Sequence, residues 1–137
     1  MKVIVVKDYE TGAKKAADVI EKIVRKKSNC TLGLATGSSP VGMYRELANR
    51  CKNEKLDFSN VSSVNLDEYV GLDGKHEQSY RYFMDDNLFN HININKKNTY
   101  VAKGVGDIEK NLKEFNDILD KTTIDVQVLG VGPDGHL

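Results

Sequence analysis

Thr31-Leu32-Gly33-Leu34-Ala35-Thr36-Gly37-Ser38-Ser39-Pro40 is the stretch on which the fold turns. Thr31–Ala35 reads as a short buried strand, ended by the small residues Thr36–Ser39. Pro40 suits the first position of a helix, where its missing N–H would be unpaired anyway, and Ser39 is placed to act as the N-cap. The helix that follows puts Tyr44, Leu47, Ala48 and Cys51 on one side.

Working outward, the same alternation recurs. Upstream, Lys2–Val6 reads as a strand, and Ala13, Ala16, Ala17, Ile20, Ile23 and Val24 form the apolar stripe of a helix of about five turns. Downstream, Val61–Leu66 is a strand, Gln78–Phe89 a helix, Thr99–Ala102 a short strand, Asp107–Lys121 an amphipathic helix and Ile124–Leu129 a last strand. Strands alternating with helices predict an α/β fold: one domain over residues 1–137, a three-layer sandwich on a mostly parallel, Rossmann-like sheet.

Composition narrows the function. With 137 residues, 39% apolar and 29% charged, the chain has the make-up of an ordinary single globular domain. Lys+Arg 20 balance Asp+Glu 20, so there is no basic excess to grip a nucleic-acid backbone. No apolar run approaches the ~18 residues of a spanning helix, and the N-terminus is too soon charged for a secretory signal. Cys30 and Cys51, without a CxxC or a Cys/His cluster, read as reduced thiols of a cytoplasmic protein, with no metal site.

In parallel sheets ligands bind beyond the carboxyl ends of the strands, and three polar segments fall there. Thr36, Gly37, Ser38 and Ser39 join a strand end to a helix start, where backbone N–H groups and the helix dipole favour an anion such as a phosphate. The plainer alternative is a tight, well-capped turn. Asp67 and Glu68 are adjacent carboxylates at a strand end; they face opposite ways, so only one can enter a cleft as a general base. Alternatively they form a solvated turn. Gly130-Val131-Gly132-Pro133-Asp134-Gly135 imitates a dinucleotide fingerprint but lacks the helix and the later acidic residue that the fingerprint requires. Asp134 two residues before His136 suits an orienting carboxylate beside an acid/base imidazole. His76, His91 and the tyrosines 69, 80 and 82 read as surface or packing residues.

Taken together, Leu32–Pro40, the run Val64-Asn65-Leu66-Asp67-Glu68-Tyr69-Val70-Gly71-Leu72, His76 with Ser79-Tyr80, and Leu129–His136 resemble the glucosamine-6-phosphate deaminase family, in order and along the whole chain. The Gly-x-Gly-x-Asp-Gly-His segment is shared with 6-phosphogluconolactonases, and Pro133 is more typical of them. Those enzymes usually carry Arg where Tyr69 stands here. The resemblance implies conversion of glucosamine 6-phosphate and water to fructose 6-phosphate and ammonia, with no cofactor. It implies that Thr36, Gly37, Ser38 and Ser39 help hold the sugar phosphate. Asp67 would move a proton between C2 and C1, from a desolvated site, while His136 assists ring opening with Asp134 as its partner. A sugar phosphate is the implied partner, and a homo-oligomer is allowed. In the family a Phe-Asn-Glu-Pro segment follows the His, and a later Lys and Arg complete the phosphate clamp; none of these is among the 137 residues. The expectation is an N-terminal half that turns over poorly by itself and exposes apolar surface around its last strand. Lactone hydrolysis and sugar-phosphate binding without turnover are the competing readings.

Overall fold

The computed structural model describes residues 1–137. Four parallel strands, β1 (Thr31–Leu34), β2 (Ser62–Asn65), β3 (Thr99–Val101) and β4 (Val126–Gln127), lie in the order β3-β2-β1-β4. Helices α1 (Tyr9–Lys26), α2 (Val41–Glu54), α3 (Tyr80–Asn87) and α4 (Ile108–Asp120) alternate with them. Leu32 pairs with Ser63 and Leu34 with Asn65, so these four side chains share one face of the sheet. Leu32 and Leu34 are buried there in one core with Ala17, Ile20 and Val24 of α1, Tyr44 and Leu47 of α2, and Met84 of α3.

The chain steps from β1 to β2 to β3 with helices on that face, then reverses to reach β4. Right-handed crossovers require the returning helix, α4, to lie on the opposite face. Val64, which points that way, and Phe115 of α4 are both buried outside the main core. The point of reversal lies between β1 and β4, the place where open α/β sheets carry their ligands.

The last strand, expected over Ile124–Leu129, pairs only at Val126–Gln127, and two further local expectations fail. Lys2–Val6 is not a strand: β1 already has β2 and β4 as partners, and no other edge takes up the segment. Val3, Ile4 and Val5 consequently stand exposed, while Val6 packs against Gly12. Strand propensity is realised only where a sheet supplies the ladder. Secondly, α2 begins one residue later than predicted, with Pro40 itself as N-cap and no side-chain cap from Ser39. The expected apolar surface is present: Val126 and Val128 are half-buried against the core, whereas Leu129 and Val131 are 57% and 67% exposed. No helix is long and apolar enough to cross a membrane. Cys30 is buried, Cys51 half-buried, and both are free thiols.

Candidate active site

The turn after β1 is held from outside. The buried Tyr44 hydroxyl donates to the Ala35 carbonyl (2.5 Å) and accepts from the Ala35 N–H (3.0 Å), fixing the strand's exit. Burial raises the pKa of that phenol, keeping it a neutral donor. At the far end, the Tyr9 hydroxyl lies 3.1 and 3.0 Å from the carbonyls of Ser38 and Ser39 and accepts the Gly42 N–H at 2.8 Å. Tyr9 thus supplies the cap that Ser39 does not. Between these two pins, Gly37 takes φ +90°, and the N–H groups of Thr36, Gly37, Ser38 and Ser39 make no hydrogen bond within the protein. Consecutive free N–H groups ahead of a helix form an anion cradle.

The acidic pair after β2 divides its labour. The Asn65 side chain, buried under the rim, donates from Nδ2 to the Leu34 carbonyl at 3.1 Å and ties β2 to β1. Asp67 is exposed; the desolvated setting expected for a base is not supplied by its own surroundings. Glu68 turns the other way. Its carboxylate accepts from Tyr69 N–H (2.9 Å), Ser79 Oγ (2.7 Å), Tyr80 N–H (2.8 Å) and Arg81 N–H (3.0 Å). Burial acts to raise the Glu68 pKa, but these four donors outweigh it and hold the group below the usual carboxylate range. Tyr69 and Tyr80 pack with ring centroids 4.7 Å apart. The Tyr80 phenol is pushed up to about 12, chiefly by a hydrogen bond with Tyr69, with burial and the charges of Asp67 and Glu68 adding to it. Tyr82 is exposed, and His76 serves its own loop by accepting the Gln78 N–H at Nδ1 (3.0 Å).

The segment after β4 is a turn closed on itself. Gly132 N–H donates to the His136 carbonyl (2.8 Å) and Gly135 N–H to the Gly132 carbonyl (2.9 Å). Asp134 Oδ1 accepts the backbone N–H of His136 at 3.1 Å; its bond is to the main chain rather than to the imidazole. Pro133, Asp134 and His136 are exposed. Gly130 approaches the Thr36–Ser39 turn closely, since a Cβ placed there would lie 3.6 Å from that of Ser39. Because β2, β1 and β4 are adjacent and parallel, the Asp67, Thr36–Ser39 and His136 segments leave the same end of the sheet. The cradle sits in the middle, with strands carrying Asp67 and His136 about 10 Å apart on either side of it.

The sequence and the fold both match a known family. Residues 8–137 match the family model of glucosamine-6-phosphate isomerases and 6-phosphogluconolactonase. The chain belongs to that family. Within it, glucosamine-6-phosphate deaminases from Clostridium beijerinckii and Clostridium tetani are 48% and 50% identical over 139 aligned residues, covering all of this chain and 57% and 58% of theirs. A solved monomeric glucosamine-6-phosphate deaminase superposes at TM-score 0.93 with 36% identity, over 99% of this chain and 57% of that one. A 6-phosphogluconolactonase from Thermotoga maritima shares the fold at TM-score 0.79 and 23% identity. The chain therefore spans little more than half the length of the relatives it matches.

Three residues that shape the rim leave little trace in the sequence. Tyr9 and Tyr44 act on the cradle through hydroxyls brought from helices, across 29 to 33 residues of chain for Tyr9 and 9 for Tyr44. In the sequence Glu68 reads only as half of an acidic pair. Its one signal in the sequence is Ser79-Tyr80, a helix start waiting for an acidic partner.

Proposed function

We propose that this chain carries the phosphate cradle and the proton-transferring carboxylate of a glucosamine-6-phosphate deaminase. The observation behind this reading is the run of four unpartnered N–H groups, Thr36 to Ser39, at the sheet's point of reversal, flanked on the same rim by Asp67 and His136. The cradle takes the 6-phosphate and so sets the distance to the reacting carbons. His136, whose imidazole offers one donor and one acceptor nitrogen, moves the proton of the anomeric hydroxyl to the ring oxygen and opens the sugar. Asp67 then removes the C2 proton and returns it to C1 while one amino proton passes to O1, leaving an imine at C2. Water adds to that carbon and ammonia departs, giving fructose 6-phosphate. Bound sugar would cover the exposed Asp67 and keep bulk water from it. Tyr69, where the lactonases usually carry Arg, favours the deaminase over lactone hydrolysis.

The proton-transfer step is testable without full turnover. Incubated with fructose 6-phosphate and ammonium in D2O, the chain should exchange the C1 protons, and Asp67→Asn should lose this by about 1,000-fold. The Thr36–Ser39 amide resonances should shift on titration with glucosamine 6-phosphate in both proteins. Hydrolysis of 6-phosphogluconolactone without C1 exchange would replace this reading with the lactonase one.

A further inference from the structure

We infer that Glu68 is a positioning residue for Asp67, an assignment that rests on the proton-transfer reading above. An ionised carboxylate offers about four lone-pair sites, and Glu68 fills them with four donors. Oε1 accepts the N–H groups of Tyr69 and Tyr80; Oε2 accepts the Ser79 hydroxyl and the Arg81 N–H. Two of these donors, Tyr80 and Arg81, are the first N–H groups of α3, which the helix cannot satisfy internally. The Ser79 side chain accepts the third, from Tyr82. Glu68 therefore closes the whole segment from Asp67 to Ser79 onto the start of a packed helix. The loop's middle is tied separately, by Gly71 N–H to the Gly104 carbonyl at 2.7 Å.

Asp67 itself has no such ties. It is exposed, its side chain is free for substrate, and its backbone is fixed only by its neighbours. On one side Asn65 is bound into the strand; on the other Glu68 is bound to α3. A base on a loop that drifts by an ångström loses much of its rate, because proton transfer demands a set approach. Glu68 removes that freedom at the adjacent residue without touching substrate.

Glu68→Gln tests this, since the amide keeps the shape but only one accepting oxygen, and its NH2 group faces N–H and O–H donors. C1 exchange with fructose 6-phosphate should fall about 10- to 100-fold, with the affinity for glucosamine 6-phosphate within about twofold, as the cradle is untouched. The deuterium isotope effect on exchange should rise, because a misplaced base makes proton transfer slower, whereas a merely unfolded fraction leaves it unchanged. By 15N relaxation the Asp67 amide should become more mobile while Thr36–Ser39 do not. Unchanged exchange, or a loss without a larger isotope effect, overturns the inference. Should the parent chain show no exchange at all, the proton-transfer reading fails by itself. The Asp67 relaxation then decides the mechanical claim, and an unaltered order parameter defeats it.

Discussion

The loops after β1 and β2 and the turn after β4 share one rim but are built on different principles. The first two are pinned by groups outside the loops themselves: Tyr44 and Tyr9 on the cradle, α3 and Gly104 on the Asp67 loop. The turn after β4 holds itself, through bonds among Gly132, Asp134, Gly135 and His136. Its apolar neighbours Leu129 and Val131 face solvent. The rim thus has two finished loops, whose geometry the rest of the chain dictates, and one whose geometry is local. A local turn is cheap to deform, so binding and proton transfer should depend on residues distant from the site in the first two loops and hardly at all in the third.

The hardest blow to the pinned side is Gly104→Ala. A Cβ at that position would lie 1.9 Å from the Tyr69 carbonyl oxygen and 3.1 Å from that of Leu72, both backbone atoms with no rotamer to yield. Overpacking of this kind should cost about 3 kcal/mol, read as a lower urea midpoint, and should free the Asp67 loop. A neutral Gly104→Ala would mean that the loop is not clamped there.

Glu68→Gln should come next, at about 1–2 kcal/mol near pH 7, from lost charge-assisted bonds discounted for partial exposure. Its pH dependence has a definite sign. The folded pKa is depressed by the four donors, so the carboxylate's contribution is complete above the unfolded value and is lost as pH falls through the folded one. The gap between parent and variant should therefore be widest at neutral pH and narrow below about pH 4.3. A gap that widens on acidification would show that the group is not held as an anion. Tyr9→Phe is milder: losing one capping acceptor should cost about 1 kcal/mol, and inorganic phosphate should bind the cradle about threefold to tenfold more weakly. Equal phosphate affinity would show that the cradle does not need its far pin.

The layering and the rim were legible in the sequence because they follow from periodicity. The stripe Ala17–Ile20–Val24 and the strands at Leu32–Leu34 and Val64 each carry their own signal, and parallel connections force the loops to one end. Lys2–Val6 misled because its composition is that of a strand while its pairing depends on an edge that composition cannot show. The turn after β1 was readable from its small residues; its support was not. Tyr9 and Tyr44 look like ordinary helix residues until tertiary structure places their hydroxyls, and a long-range cap leaves no local pattern. The same reason hid the fate of Asp134, whose spacing to His136 fits an imidazole partner and a backbone turn equally well.

Asp134→Asn should be the smallest effect and the sharpest probe of the self-held side. The amide keeps an oxygen able to accept the His136 N–H, the residue is exposed, and no element beyond the turn bonds to its side chain. Its cost to stability should stay within about 0.5 kcal/mol, with the Thr36–Ser39 amide shifts unmoved by the substitution. If the turn is coupled to the cradle through the Gly130–Ser39 approach, those amides will shift and the urea midpoint will fall by more than that. The distinction between a locally held turn and distantly pinned loops would then have to be given up. If only the ring-opening step slows, on the ring form of glucosamine 6-phosphate and not on open-chain exchange from fructose 6-phosphate, the carboxylate reaches the imidazole once sugar is bound. Its backbone bond is then the resting state of a turn that the substrate rearranges.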